Sequence, residues 1–597
     1  MIVSVCYLFL FLFVGLLLAR RAVPDADSAV LLPLGCGLGV SLLAVLPALF
    51  ALPFGFTLPA AGLAGATAAV LGGVLLRCGT RLHGTAKDPD RGASWACLLP
   101  VAAVTLFLLH THVLHMVNGT LHTGQSCYGD MPMHLGFIRY IAQSGEFPPR
   151  YPLLGGAHRF GYPFLCETVS SVFLLLGADL RTAYLLPMLP AFLSVYGMFW
   201  QLARRVTGSA AKASLAFYLF LWAVGLGLCI FSAPLRILRA SSPVFYTTPT
   251  NFVEKNIVWV NPIADLLIPQ RATLFGWCVL LPALYLLWRF CYEGERRLWL
   301  WLALLVLPLP LLHTHSALAL VLLCLVSGLY TLTQGAHKET LLPWLGLAAV
   351  CGAAWLFQML PTVLAQSLDG QQMLRLHFNW INGRNDGALK DSYLWFYIKN
   401  IGLVYLLLVP AFVHARPKQR WLYGGGLAIL ALAEFVVFQP NNYDNNKLLY
   451  PAFAFLCCAA SQCAGRLLQW VRGRRLRAGA AAGMLAVTSL SAALTMGREA
   501  VASYELFGSG ALALSQWVEE STPPQAVFLT DTRHNNEVAS LAGRNVVCGS
   551  PSYLFYHGLP YDKSQRAVQI IYEHPADAQP LLEGFGVDYI LVSDFER

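Results

Sequence analysis

Residues 126–152, "SCYGDMPMHLGFIRYIAQSGEFPPRYP", concentrate acidic and basic side chains in a chain that is otherwise mostly apolar. The apolar residues after Asp130 recur near helical spacing, which predicts an amphipathic helix that begins there. His134 follows four residues later and therefore lies near Asp130 on one face of that helix. A carboxylate in this position can take a proton from an attacking hydroxyl as a general base, or it can cap the helix.

Two basic residues stand where long apolar runs begin. They are Arg271 in "LIPQRATLFGW" and Lys447 in "NNYDNNKLLY". A cationic side chain at such a point can bind a phosphate, because charge-assisted hydrogen bonds stabilise the charge that develops on a leaving phosphate. Each side chain can equally extend along an apolar surface to reach water. The sequence leaves both interpretations open.

Further polar clusters lie in short connections. "HTHS" places His313 and His315 in one turn, which indicates either a pair of metal ligands or a polar turn, since no third ligand is evident nearby. "QPNNYDNNK", with Asp444 and Asn445 at its centre, has more polar residues than a turn requires, which favours contact with a sugar or a lipid headgroup. The charged residues of 531–544 follow a predicted strand and indicate acceptor binding or a solvated loop.

Membrane helices must position these side chains. The chain has 597 residues, of which 57% are hydrophobic and 12% charged, and its mean hydropathy is +0.58. Soluble domains have about twice that charged fraction. Fourteen apolar runs are interpreted as spans of a hydrocarbon core ~30 Å thick. The runs are 2–19, 28–50, 57–76, 96–113, 184–203, 212–232, 272–290, 298–312, 315–333, 343–360, 396–414, 421–438, 447–464 and 478–495.

Basic residues fall in the short connections on one side of the predicted spans. Arg20 and Arg21 after the first run and Arg474 and Arg475 before the last share that side if the fourteen spans alternate. This positive-inside pattern assigns that side to the cytoplasm and accounts for the net charge of +9 without a nucleic-acid partner. The long polar segments then lie outside, at 114–183, 233–271, 361–395, 439–446 and 496–597.

The sequence thus predicts a polytopic α-helical membrane protein with a small C-terminal extracytoplasmic α/β domain. Residues 1–113 are assigned to N-terminal transmembrane helices, 114–183 to a large external loop with interfacial helices, 184–495 to the transmembrane core, and 496–597 to the α/β domain. Residues 164–178 look like a span, but an additional span here would place the basic connections that follow on the outer side of the membrane. A helix in the interface is therefore expected there.

Three stretches resemble the GT-C superfamily of membrane glycosyltransferases, in particular the protein O-mannosyltransferase and lipid A aminoarabinose transferase branch. They are "YGDMPMH", "GYPFLCETVSSVFLLLGADLRTAYLLPML" and "FWQLARRVTGSAAKASLAFYLF", and the resemblance covers roughly residues 110–235. The Asp-Glu pair of that branch reads Asp130-Met131 here. More spans precede the loop than in the simplest pattern of the family.

The resemblance implies an inverting glycosyltransferase of the plasma (inner) membrane that moves a sugar from a polyprenyl-phosphate donor to a glycan, lipid or protein acceptor on the outer face. It implies Asp130 as general base, with His134 orienting it or contacting the substrate. No cofactor is predicted with certainty, and a divalent metal stays open. The residues expected to bind substrate or lipid phosphate are Arg159, Glu167, Arg271, His313, His315, Asp444, Asn445 and Lys447.

A polytopic transporter or flippase of a lipid-linked or polar solute is the alternative. Such proteins are expected to have repeated halves, with carboxylates or broken helices near the middle of the membrane. No repeat is evident in this sequence, and its polar residues gather at one face. A scaffold whose tail binds partners is a third interpretation. A cavity at the outer membrane boundary lined by Asp130 and Lys447 would favour the enzyme.

Overall fold

The structure is a computed structural model that describes residues 1–80, 88–156, 158–222, 225–227, 238, 245–335, 337–368, 374–383 and 390–596. Helices dominate it, and short strands occur only between and after them in these ranges. The first helices are α1 Ile2–Ala22, α2 Ser28–Phe54, α3 Leu58–Arg77, α4 Arg91–Thr111, α5 Met131–Ser144, α6 Leu165–Leu175, α7 Leu180–Leu185, α8 Met188–Thr207, α9 Ala210–Leu221 and α10 Arg271–Leu287.

The chain continues with helices that complete the apolar bundle and then the C-terminal segment. They are α11 Leu298–Val306, α12 Leu309–Leu312, α13 Thr314–Thr333, α14 Lys338–Leu368, α15 Tyr393–Ile401, α16 Leu403–Leu406, α17 Leu408–His414, α18 Pro417–Phe435, α19 Asn446–Trp470, α20 Arg474–Val501, α21 Ser509–Ser521, α22 Glu537–Ser540, α23 Pro551–Tyr556, α24 Asp562–Glu573 and α25 Gln579–Phe585. The strands are β1 His115–Val117, β2 Thr120–Thr123, β3 Arg375–Leu376, β4 Val436–Val437, β5 Tyr504–Phe507, β6 Val527–Leu529, β7 Asn545–Val546 and β8 Tyr589–Ile590.

Ten helical stretches within the described residues are long and apolar enough to cross a membrane. They are α1, α2, α3, α4, α7 with α8, α10 with its π-helical end, α13, α14, α19 with the turn before it, and α20. Each coincides with one of the fourteen predicted runs. The chain is therefore a multi-pass membrane protein by the length and composition of its helices.

The other four predicted runs form shorter or broken helices. Run 212–232 begins as α9, and its residues 223–224 and 228–232 lie outside the described residues. Run 298–312 divides into α11 and α12, and run 396–414 divides into α15, α16 and α17. Run 421–438 corresponds to α18, which has 19 residues. The described helices of the first three runs are thus shorter than a span, whereas α18 is long enough but includes the charged residues Lys418, Arg420 and Glu434.

Close backbone packing of α1 on α2 anchors the N-terminal part of the bundle. A Cβ atom placed on Gly15 would lie 2.2 Å from the carbonyl oxygen of Gly35 and 2.5 Å from the backbone nitrogen of Gly39. Only glycine permits so close an approach, and small residues at helix contacts are typical of membrane bundles. The two helices also bury Phe11 and Leu38 between them and their neighbours.

The first large polar loop and the C-terminal segment form one layer at the end of the bundle. Strands β1, β2 and β5 make an antiparallel sheet in which His122 pairs with Glu505. Helix α6 has 11 residues, which is too short to cross a membrane. It packs beside α5 instead, where the Ser171 hydroxyl donates to the carbonyl of Ile138 over 3.0 Å.

The C-terminal segment contains a three-stranded parallel sheet in the order β7-β6-β8, with helices around it. This α/β arrangement packs directly on α5. Arg139 of α5 pairs with Glu519 at 2.6 Å, and Arg544 donates to the side-chain oxygen of Gln143 at 2.6 Å. The carbonyl of Ala539 lies so near α5 that it faces Gly136. The tail therefore forms part of the surroundings of Asp130 and His134.

Candidate active site

A polar cavity of about 460 Å³ lies where several long helices begin or end. It is bounded by the N-terminal ends of α5, α10, α13 and α19, the C-terminal half of α14, and helix α23 of the tail. Six of the residues singled out in the sequence line it: Asp130, His134, His313, His315, Asp444 and Lys447. The fold thus brings three distant parts of the sequence to one cavity.

Asp130 presents a carboxylate to this cavity. It occupies the N-cap position of α5, but its side chain accepts no capping hydrogen bond. Within the described residues its carboxylate has no hydrogen-bond partner. Burial raises the pKa of Asp130 above its usual value, and the charges of His134 and Lys447 oppose part of that rise. The geometry leaves the oxygens of a more basic than usual carboxylate available to a ligand.

A buried ion-pair chain holds His134 at the cavity wall. Its Nδ1 lies 2.7 Å from Oε1 of Glu167, and Oε2 of Glu167 accepts from Nε of Arg271 at 3.0 Å. The three side chains are at most 1% exposed. Burial alone would raise the pKa of Glu167, but the charges and hydrogen bonds of His134, with the charge of Arg271, bring it below its usual value. We therefore assign the proton of the His134–Glu167 hydrogen bond to Nδ1 of His134. Nε2, on the other side of the ring, is the nitrogen left to the cavity.

Arg271 faces away from the cavity and is saturated with partners. Besides Glu167, its guanidinium donates to the carbonyl of Tyr184 at 3.0 Å, to that of Cys166 at 3.3 Å, and to the Ser170 hydroxyl. Its central carbon lies 4.3 Å from the centroid of the Tyr184 ring. Arg271 was expected to bind phosphate, as was Glu167. Here both lie behind His134, and neither lines the cavity.

Lys447 is the cationic side chain that lines the cavity. Its ammonium lies 3.1 Å from the carboxylate of Asp444, and the two side chains are 19% and 23% exposed. Asp444 also accepts from the side-chain nitrogen of Asn441 at 3.2 Å. An ammonium group has three donors. The pair therefore keeps Lys447 oriented while leaving it able to donate to an anion.

His313 and His315 form the opposite wall of the cavity, with ring centroids 5.4 Å apart. Nδ1 of His313 lies 2.7 Å from the Ser316 hydroxyl, whereas Nε2 of each imidazole is buried without a partner in the described residues. Zinc sites normally use three or four protein ligands, and this pair supplies two. In the part of the chain that the structure describes, no group of three or more His, Cys, Asp or Glu side chains could hold a metal ion.

Two other predicted binding residues have positions outside the cavity. Asn445 is buried, and its side-chain nitrogen donates to the carbonyls of Ala433 and Val436, each at 2.9 Å. It therefore ties the end of α18 to the turn before α19. Arg159 is exposed and donates to the carbonyl of Pro361 at 3.5 Å. Neither side chain lines the cavity.

The charged residues of 531–544 also lie outside the cavity and bind one another. Arg533 pairs with Asp531 at 2.8 Å and with Glu537 at 3.0 Å, and it stacks on the Phe595 ring at 3.5 Å. Arg544 donates to backbone carbonyls at the end of α21. The stretch that suggested acceptor binding therefore supports the packing of the tail.

Residues of α23 and its C-terminal end complete the cavity, and no sequence motif predicts this role for them. Tyr553, Tyr556 and His557 line it together with Tyr162 of the first polar loop. The Tyr553 hydroxyl donates to the carbonyl of Gly129, next to Asp130. The His557 ring lies 4.9 Å from the Tyr162 ring. The only local signal was an aromatic cluster, "PSYLFYH", in a tail without a recognisable motif.

An apolar cavity of about 720 Å³ runs between α13 and α14. Its walls are aliphatic and aromatic, and they include Leu325, Trp344 and Trp355. The same two helices reach the polar cavity through Leu318 and Met359. A polar site and an apolar cavity thus share two helices.

No protein-family model matches the chain, and no curated protein matches it in sequence. Solved structures of the oligosaccharyltransferase of Archaeoglobus fulgidus are similar to it in fold. The structure of that enzyme tethered with an acceptor peptide gives a TM-score of 0.49 at 9% identity, covering 83% of this chain and 68% of the other. The complex with an inhibitory peptide and a dolichol-phosphate gives 0.42 at 11%, covering 83% and 69%.

A third structure, the complex with Zn and sulfate, gives a TM-score of 0.40 at 12% identity and covers 83% of this chain and 67% of the other. At these identities and TM-scores the match assigns no role to any residue of this chain.

Proposed function

We propose that the protein is a GT-C-type glycosyltransferase that moves a sugar from a polyprenyl-phosphate donor to an acceptor hydroxyl. The observation that supports this most strongly is the polar cavity. The carboxylate of Asp130, the ammonium of Lys447 and several imidazoles line it together, at the ends of apolar helices. A transfer of this kind needs a base for the acceptor and a cation for the departing phosphate, both at the edge of the membrane.

Asp130 is the proposed general base. The acceptor oxygen attacks the anomeric carbon, its proton passes to the Asp130 carboxylate, and the bond from that carbon to the phosphate oxygen breaks with the electron pair leaving on the polyprenyl phosphate. A single direct displacement of this kind inverts the anomeric configuration. The free carboxylate and its raised pKa suit the task, because a stronger base accepts the proton more readily at neutral pH.

Lys447 is the proposed phosphate ligand. Its ammonium offsets negative charge on the departing phosphate, and Asp444 keeps it directed at the cavity over 3.1 Å. His313 and His315 offer Nε2 atoms at the same cavity, which we assign to hydroxyls of the sugar. A ligand would then supply the hydrogen bonds that these buried nitrogens lack.

His134 is proposed to contact the substrate in the cavity, and buried residues behind it hold its ring in place. Glu167 and Arg271 are positioning residues in this account, since they hold the His134 ring and fix the proton on Nδ1. Nε2 is then the ring nitrogen left to contact the substrate. A carboxylate that orients an imidazole in this way has large effects on rate in other enzymes.

The polyprenyl chain is assigned to the apolar cavity between α13 and α14. The two cavities share these helices, so the phosphate can lie near Lys447 while the chain descends along Leu318 into the membrane. The basic connections assign the other helix ends to the cytoplasm. The polar cavity and the tail then lie on the outer face of the plasma membrane. The transporter alternative would need its polar groups near the middle of the membrane.

The test uses purified protein in lipid nanodiscs with a panel of polyprenyl-phosphate sugars and short glycan, lipid and peptide acceptors. We expect one donor to release polyprenyl phosphate only when an acceptor is present. The Lys447→Ala variant should lower that release, and Tyr7→Phe, whose side chain lies between α1 and α3 and does not line the cavity, should not. Absence of release with every donor, together with passage of a solute across the bilayer, would refute the enzyme and favour the transporter.

A further inference from the structure

His557 brings a side chain of the C-terminal segment into the polar cavity. It follows α23, and its ring packs on Tyr162 at 4.9 Å, Tyr151 at 5.7 Å and Phe137 at 6.2 Å. These rings fix the orientation of the imidazole. The charged or titratable groups that face it are Asp444, Lys447 and His134, so His557 lies near the end of the cavity where Lys447 stands.

A buried phenol occupies one nitrogen of this imidazole. The Tyr151 hydroxyl lies 2.6 Å from Nδ1 of His557, and the Tyr151 side chain is 1% exposed. Burial raises the pKa of Tyr151 well above its usual value, so the phenol keeps its proton. Nδ1 is the acceptor within reach of that proton. The hydroxyl therefore donates, and Nδ1 carries no hydrogen.

The imidazole itself is neutral. Burial lowers the pKa of His557 to about 3; the charge of Asp444 opposes this shift, and those of Lys447 and His134 add to it. A neutral imidazole has one hydrogen, and with Nδ1 occupied by the phenol that hydrogen must lie on Nε2. The cavity wall near Lys447 thus carries a fixed N–H donor that adds no charge.

We propose that Nε2–H of His557 is the second phosphate ligand of the site, beside the ammonium of Lys447, and that Tyr151 is the positioning residue that holds it as a donor. The inference rests on the proposed function for its ligand, a polyprenyl phosphate. It makes the tail a part of the donor site. His134 has the opposite arrangement at Nδ1, because that nitrogen donates to Glu167 whereas Nδ1 of His557 accepts from Tyr151.

The experiment measures equilibrium binding of a polyprenyl phosphate to the purified full-length protein in nanodiscs. His557→Phe keeps an aromatic ring and removes the donor, so affinity should fall about tenfold or more, as for a lost hydrogen bond to a charged group. His557→Gln keeps an N–H near the Nε2 position and should stay within about threefold of wild type. Tyr151→Phe removes only the phenolic oxygen, and its affinity should lie between those of His557→Phe and His557→Gln.

Tyr7→Phe is the matched control, because Tyr7 is also a buried tyrosine with one hydrogen bond, 2.9 Å to the carbonyl of Ala61. It should bind as wild type does.

The outcomes distinguish a failure of the His557 proposal from a failure of the proposed function. If Tyr151→Phe and His557→Phe bind as wild type does while their thermal midpoints fall, the pair is only structural and the inference is wrong, although the proposed function stands. If the wild-type protein binds no polyprenyl phosphate under conditions in which it stays folded, both claims are overturned. Loss of affinity in His557→Phe with retention in His557→Gln supports the proposed ligand.

Discussion

Replacing Arg271 by methionine tests whether Arg271 is a buried structural cation or a phosphate ligand. Methionine has similar length and no charge, so Arg271→Met leaves the Glu167 carboxylate without its arginine partner in a site where both side chains are 0% exposed. Removing one partner of a buried ion pair costs about 3–5 kcal/mol, because the other charge stays buried and unpaired. We expect a loss of stability of that size.

Arg296→Met is the matched control. Arg296 pairs with Glu339 at 2.8 Å, but the two side chains are 46% and 83% exposed, so the same substitution should cost only about 0–1 kcal/mol. Adding Glu167→Gln to Arg271→Met should recover part of the lost stability, because a neutral amide is cheaper to bury than an unpaired carboxylate. The double variant should remain poorly active, since His134 loses its support.

The assay is thermal unfolding of the purified variants in one detergent at one scan rate, with donor binding measured in parallel. Arg271→Met should unfold at a clearly lower temperature than Arg296→Met, and its folded fraction should bind donor nearly as well as wild type does. The reasoning is refuted if Arg271→Met is as stable as Arg296→Met and loses donor affinity to the same extent as Lys447→Ala. That pattern would identify Arg271 as a phosphate ligand.

Three further predictions follow from the cavity and the orientation. Lys447→Ala should weaken donor binding far more than Lys447→Arg, which retains the charge; equal affinities would contradict a phosphate role. The transfer rate should fall at acidic pH through a pKa above the usual ~3.9 of Asp, because Asp130 must be ionised to act as a base, and a flat profile would contradict this. In intact cells an impermeant thiol reagent should label cysteine introduced by Glu520→Cys and not by Arg475→Cys, both at exposed positions; the reverse would overturn the orientation.

The long helices could be predicted from the sequence because hydropathy over about 20 residues reflects the thickness of the bilayer. Breaks within apolar runs were missed, since hydropathy does not detect local backbone conformation. Run 396–414 is interrupted at Gly402, whose φ of +63° and ψ of −129° end α15 and begin α16. Run 298–312 is interrupted before Pro308, which cannot donate a helical hydrogen bond.

The convergence of Asp130, Lys447 and the "HTHS" histidines could be predicted because all of them stand at helix ends on one face. The position of Arg271 was also predicted correctly as a helix start, but its partner was not. Whether a carboxylate lies behind a basic residue depends on tertiary packing, here of α6 against α10, and the spacing of residues does not reveal it.

The contribution of the tail could not be predicted at all. His557 reaches the cavity because β-bridge pairing between Leu154 and Cys548 brings the tail onto the first polar loop. Such a pairing joins residues nearly four hundred positions apart, and no local pattern in either segment indicates it. The aromatic residues near it serve equally well as core residues elsewhere in this chain.

The transfer rate of Asp130→Asn tests the central claim most directly. Asparagine keeps the shape of the side chain and removes its basicity, and Asp130 makes no capping bond whose loss would complicate the result. The variant should insert, fold and bind the polyprenyl-phosphate donor as wild type does, yet transfer sugar about 10²-fold or more slowly, the usual contribution of a general base. Near-normal transfer by Asp130→Asn would contradict the account and move the search for the base to Asp444 or His134.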